Sequence, residues 1–182
     1  VSECWADEVT AGRGTEGQTF TSLTGCTFLV YSTIQGACTH AATLASDFVP
    51  SIWICPGFYE ENITISSTVH IFGAGAMRQE ADASPSDERQ LVVVKNATTT
   101  SDAITIGAAA LFSTIEGIHV ILRSSNSTAC FDIDAADNIT IRNCTFDFYF
   151  RMLDRFDRSS DILVERNLFI RCGLDPIECY ET

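Results

Sequence analysis

The chain has 182 residues, 46% of them apolar, and a formal net charge of −13 from 24 acidic and 11 basic side chains. That size and apolar content suit one domain, residues 1–182, with a core of its own. The acidity argues against nucleic acid as a partner, because phosphate binding needs clustered basic groups, and no apolar run approaches the roughly 20 residues of a membrane span.

Residues 1–31 read as an arm or first strand. They are polar and rich in Gly and Thr until TFTSLTGCTFLVY, and Cys4 and Cys26 would tie them down. The opening Val1-Ser2-Glu3-Cys4 has neither an initiator Met nor a basic leader, as expected of a chain that begins after a cleaved leader. Residues 32–46 carry Ile34, Cys38, Ala41 or Ala42, and Ala45 at helical spacing, with Ser32 or Thr33 as the N-cap. This helix is expected to plug the apolar end of a stack of strands.

From residue 50 to 170 the chain alternates with period two in short triplets, as strands with one buried face do. One series starts at Val69, Leu91, Ile118, Ile139 and Ile162, in steps of 22, 27, 21 and 23 residues. A second runs through Ile63-Thr64-Ile65, Ile104-Thr105-Ile106, Phe131-Asp132-Ile133 and Phe150-Arg151-Met152. The best internal match sets DNITIRNCTF (Asp137–Phe146) against SDILVERNLF (Ser160–Phe169). Repeats of this length cannot bury their apolar face alone, and stacking them builds one continuous core. A sandwich of short strands is the alternative. The near-constant period and the scarcity of hairpin dipeptides favour a winding chain of five or six rungs. Residues 76–90 are charged and read as an inserted loop, and residues 171–182 as a short tail that either seals the last rung or leaves it open.

STIQGAC (Ser32–Cys38), then PGFYEENITI, then VHIFGAG resembles the opening of the right-handed parallel β-helix of the pectate-lyase and pectin-methylesterase type. The likeness is sharp from about residue 32 to 75 and generic beyond. It implies an all-β, single-stranded right-handed β-helix with a short N-terminal capping helix. The family's enzymes act on polysaccharide, but their catalytic patterns are not matched. Gln-Asp is absent, DFYF only echoes an esterase pattern, no R-x-P occurs, and the clustered Asp of polygalacturonases are missing. Glu60-Glu61 belongs to the structural opening.

The outward members of the first series would be His70, Val92, His119, Thr140 and Leu163, a row without carboxylates in which the histidines stand two rungs apart. The second series would present Thr64, Thr105, Asp132 and Arg151. Asp132 beside Arg151, with Asp134, is the candidate centre of an acidic-polysaccharide lyase, esterase or hydrolase. An inter-rung salt bridge explains the same pair. No cofactor is expected. Calcium at Asp132, Asp134 and Asp137 is the alternative, although the stretch lacks the glycine-rich pattern of a dedicated loop.

The eight cysteines, Cys4, Cys26, Cys38, Cys55, Cys130, Cys144, Cys172 and Cys179, form an even set with no CxxC pair and only three His beside them. They suggest disulfides in an oxidising compartment rather than zinc, and proximity favours Cys172–Cys179 and Cys38–Cys55. Five sequons, at Asn62, Asn96, Asn126, Asn138 and Asn143, suggest a secreted glycoprotein. Glycans are expected at Asn96 and Asn126, whereas Asn143 fits a hydrogen-bonded ladder between rungs equally well.

These features point to an extracellular, non-catalytic structural or adhesive β-helix, a repeating subunit of a fibre, coat or wall layer that self-associates head-to-tail through open ends. A polysaccharide-active enzyme and a glycan-binding module that stacks sugars on Phe148, Phe150 or Trp53 are the alternatives.

Overall fold

A computed structural model describes residues 18–21, 27–44, 49–73, 91–98, 100–122, 129–148, 151–154 and 159–170. β1 (Gln18–Thr21) and β2 (Thr27–Val30) pair antiparallel, with Gln18 opposite Val30. The sequence reading expected an arm or a first strand here. Helix α1 (Ile34–Leu44) comes next and buries Ile34, Cys38 and Ala41, the expected stripe.

The remaining strands form three parallel sheets. The first contains β3 (Ser51–Ile54), β6 (His70–Gly73), β9 (Thr114–Glu116), β12 (Thr140–Arg142) and β15 (Leu163–Glu165). The second contains β4 (Gly57–Glu60), β7 (Val92–Lys95), β10 (His119–Leu122), β13 (Thr145–Phe148) and β16 (Leu168–Ile170). The third contains β5 (Ile63–Ile65), β8 (Ile104–Ile106), β11 (Ala129–Ile133) and β14 (Arg151–Asp154). Every third strand in sequence returns to the same sheet, so the chain visits the sheets in rotation.

Register aligns like side chains. In the first sheet Ile52, Ile71, Ile115, Ile141 and Val164 form one inward column. In the second, Tyr59, Val94, Val120, Phe146 and Phe169 do the same. In the third, Ile63, Ile104 and Phe131 align, then Leu153. The middle members of these columns are fully buried and belong to one core cluster. DNITIRNCTF and SDILVERNLF do sit in register, Thr140 against Leu163 and Phe146 against Phe169.

The first triplet series is a composite. Val69, Ile139 and Ile162 lead into the first sheet, whereas Leu91 and Ile118 lead into the second. The series skipped β9 because its leading position holds Ser113 rather than an aliphatic residue. Ser113 is nonetheless fully buried, and its hydroxyl accepts a hydrogen bond from Val69 N at 3.1 Å. Val92, expected outward, is buried in the core. A continuous run such as Leu-Val-Val-Val carries no phase of its own, and the register of Tyr59 on Val94 supplies it.

The corners explain the Asn-rich rhythm. Phe112, Asn138 and Asp161, just before β9, β12 and β15, have φ of 58°, 59° and 56°. Gly117, Asn143 and Arg166, just after them, have φ of 72°, 53° and 55°. Left-handed backbone is reached most easily by Gly and Asn, so Asn138, Asn143 and Gly117 suit their corners, while Asn167 lies one place past the left-handed Arg166. Gly73 and Gly117 meet where β6 and β9 end. A Cβ on Gly73 would lie 2.2 Å from Gly117 O.

Candidate functional site

The first circuit of the three sheets (β3, β4 and β5) is closed on one side by α1, and the opening motif supplies the means. Glu61, just beyond β4, reaches the helix N-terminus. Its Oε1 accepts from Ile34 N at 3.0 Å and its Oε2 from Gln35 N at 2.8 Å. A carboxylate here satisfies two orphan donors and meets the positive end of the helix dipole. Thr33 completes the cap, accepting from Gly36 N at 3.0 Å. Gln35 then turns its amide onto the edge of β5. Its Oε1 accepts from Thr64 N at 2.6 Å and its Nε2 donates to Thr64 O at 3.3 Å. The side chain thus stands in for a neighbouring strand, which is what an open sheet edge needs. Glu60 is held by an ion pair with Lys95 across β4 and β7. Both glutamates are structural, as the sequence reading proposed.

At the other extreme the core runs out to the surface. Phe146 is fully buried, but Phe169, stacked on it at 5.7 Å, is 38% exposed. On β15 and just before it, Val164 and Ile162 are only partly covered.

The outer face of the first sheet presents two rows. Ser51, His70, Thr114, Thr140 and Leu163 form one; Trp53, Phe72, Glu116, Arg142 and Glu165 form the other. Trp53 is 77% exposed and stacks on Phe72, with ring centres 4.8 Å apart and an interplanar angle of 26°. His70 meets Phe72 edge-on at 6.2 Å. Glu116 Oε2 accepts from Arg142 Nε at 2.9 Å and pairs with Nη2 at 2.8 Å, and its Oε1 accepts from Asn143 Nδ2 at 2.7 Å.

The expected catalytic row does not assemble as drawn. Register sets Asp132 across from Asp154, and Arg151 across from Ala129. The triplet Phe150-Arg151-Met152 was therefore phased one residue off, and Asp132 and Arg151 are not opposite one another. Asp134 lies exposed past the end of β11, its N–H donating to Ile106 O at 2.9 Å. Asp137 Oδ1 accepts from Ser160 N at 2.6 Å and from Ser160 Oγ at 2.9 Å, so it ties one circuit to the next. Among the described residues no three His, Cys, Asp or Glu side chains gather as a metal site would require. His70 and His119 fall in different sheets, and His119, expected at the surface, is 4% exposed. It shares a register row with Thr145, which is also buried.

Cysteine pairing departs from expectation. Cys55 is in a disulfide, while Cys38, Cys130 and Cys144 are free, buried thiols. The Cys38–Cys55 pair is therefore overturned: Cys38 belongs to the apolar stripe of α1 and packs in the core like a small aliphatic residue. Cys144 occupies the corner that Ile118 fills one circuit earlier, one residue ahead of the strand in each case. Burial pushes the Cys38 thiol to about 12, with the Glu61 charge adding to it. Burial likewise takes Cys144 to about 12 and raises Cys130 well above 9.0. None is poised as a nucleophile. Cys4, Cys26, Cys172 and Cys179, and with the last two the expected Cys172–Cys179 pair, lie outside the described residues.

The sequons divide by environment. Asn96 is 4% exposed and its amide donates to Thr98 O. Asn62 Nδ2 donates to Asp102 O at 2.6 Å. Asn143 takes the ladder role through Glu116, and Asn138 holds a left-handed corner. Asn126 and Phe150 lie outside the described residues. The sequence reading missed Asn167, whose Oδ1 accepts from Cys144 N and whose Nδ2 donates to Ile141 O, both at 2.9 Å. The internal match sets Asn167 opposite Cys144 and Arg166 opposite Asn143, so the repeat gave it no counterpart.

No family model, no curated protein and no solved structure matches the chain. No helix among the described residues is long and apolar enough to cross a membrane.

Proposed function

We propose that the protein is a right-handed parallel β-helix with a structural or adhesive role outside the cell, self-associating end to end. The rotation of the strands through three parallel sheets supports the fold, and connections between parallel strands are right-handed in nearly all proteins. The disulfide at Cys55 supports an oxidising compartment. The observation that carries the role is the asymmetry of the two ends. Gln35, Glu61 and α1 seal the first circuit with dedicated hydrogen bonds, whereas Phe169 and the partly covered Val164 bring the core columns toward solvent at the other. An apolar column beside strand edges is a surface on which another chain gains burial and pairing together. The α1-covered end of a second copy is the occupant proposed, and its repetition without closure gives a fibre.

Multi-angle light scattering across a concentration series tests this. Mass is expected to rise with concentration, and Phe169→Asp to hold the protein monomeric. A strictly monomeric wild type at high concentration overturns the reading.

A further inference from the structure

We propose that Asn138 carries an N-linked glycan and that the first sugar of this glycan packs on the ring of Phe112. The proposal rests on the extracellular reading above and is independent of end-to-end association.

Phe112 and Asn138 hold equivalent places in successive circuits, two residues before Thr114 and Thr140, which pair in register. Both have left-handed backbone, with φ of 58° and 59°. Asn suits that conformation, whereas a bulky aromatic residue is strained in it. Phe112 is also 62% exposed, so burial of the ring does not offset the strain. Backbone strain of this kind gathers where a function requires the side chain. Beside it, the half-buried Asn138 carboxamide makes no hydrogen bond with the described residues, and only the backbone N–H is engaged, donating to Ser160 O at 3.0 Å. The other described sequons are committed to the fold. Asn62 donates to Asp102 O at 2.6 Å and accepts from Thr98 Oγ1 at 3.3 Å, Asn96 is buried, and Asn143 donates to Glu116 Oε1 at 2.7 Å. Asn138-Ile139-Thr140 is the described sequon whose amide stays open to a substituent after folding.

Transfer takes place before the chain folds. The bond formed joins Asn138 Nδ2 to C1 of N-acetylglucosamine, and the bond broken joins that carbon to the pyrophosphate of a lipid-linked oligosaccharide. The amide gives up one proton and the lipid pyrophosphate leaves. Folding then brings Phe112 alongside. Adjacent strands lie about 4.8 Å apart, so the two corner residues stand one strand spacing from each other, within reach of the first sugar. A pyranose has a face lined by C–H bonds, and an exposed aromatic ring is apolar surface that such a face can cover. On the far side the equivalent corner holds Asp161, which offers no such surface.

The test expresses the full chain behind a secretory leader in cultured eukaryotic cells, so that contact with the transferase does not depend on the native route. Peptide mapping after peptide-N-glycosidase digestion in heavy-oxygen water is expected to find position 138 converted to labelled Asp. Thermal unfolding before and after the digestion then reads the packing. Glycan removal is expected to lower the Tm of the wild type by about 2–4 °C more than that of Phe112→Ala, the shift of one aromatic contact in a chain of this length. Phe112→Tyr, which keeps the ring, is expected to respond as the wild type does. The proposal is overturned if Asn138 is unoccupied, or if digestion shifts the Tm of wild type and Phe112→Ala equally. Either result leaves end-to-end association to be decided by light scattering, so the two readings fail separately.

Discussion

Replacing Gly73 by alanine tests the close approach on which the stacking of the first sheet depends. The added Cβ would sit 2.2 Å from Gly117 O, 2.8 Å from Gly117 C and 2.9 Å from Ile118 Cγ2, and real Cβ contacts essentially never fall under 3.0 Å. Two of these three atoms are backbone, so no rotamer change relieves the overlap. β6 and β9 must part by at least 0.8 Å at that corner, the difference between 3.0 and 2.2 Å. Overpacking of this kind costs about 1–3 kcal/mol. Weakening a neighbouring backbone bond, such as Gly117 N to Arg142 O, adds about 1 kcal/mol. The expected loss is about 3 kcal/mol, or about 6–12 °C in Tm for a chain of this length. The assay is urea unfolding followed by circular dichroism, with Gly107→Ala as the internal control. A Cβ at Gly107 meets only Ile65 O, at 3.7 Å, so that variant should stay within about 0.5 kcal/mol of wild type. Equal midpoints for the two variants would refute the reasoning, because the same chemical change would then be indifferent to the geometry that separates the sites.

Glu61→Ala removes both side-chain acceptors at the start of α1 and should cost about 2 kcal/mol, with amide exchange accelerating first at Ile34 and Gln35. Arg166→Gly relieves a left-handed corner and should stabilise by up to about 1 kcal/mol, whereas Asn143→Ala, which loses its bond to Glu116 as well, should destabilise by about 1–2 kcal/mol; a shared direction of shift would contradict the corner assignment. Alkali should weaken the fold through the buried thiols. Cys38 and Cys144 titrate near 12 when folded against an ordinary 9.0, so between those values the unfolded chain holds fewer protons and stability falls as pH rises. The stabilisation is fully present below pH 9 and lost progressively toward pH 12. Cys144→Ala should flatten that part of a stability-against-pH curve, and an unchanged slope would argue against the buried thiol as its source.

The sequence by itself determined the strand rhythm, the helix and the way one end is sealed. Period-two triplets and a helical stripe are local patterns, and Ser32–Cys38 with Pro56–Ile65 carried the residues that dock α1. The ten-residue match between Asp137–Phe146 and Ser160–Phe169, offset by 23, likewise set a register that the strands adopt. Only the tertiary structure decided which strands share a sheet. Val69 and Leu91 look alike as leads into apolar triplets yet enter different sheets, and Ser113 hides a strand because a buried hydroxyl can replace a methyl group when a neighbouring N–H bonds to it. Phase was also tertiary: Val92 points inward and Arg151 falls opposite Ala129 because pairing with β4 and β11 sets them. The aromatic stack was legible only as a single exposed candidate, Trp53. Its partner Phe72 stands 19 positions further along the chain, and their stacking exists only because β3 and β6 pair side by side. Residue patterns encode what each segment buries, while the meeting of segments far apart in sequence is settled by the shared core they jointly exclude from water.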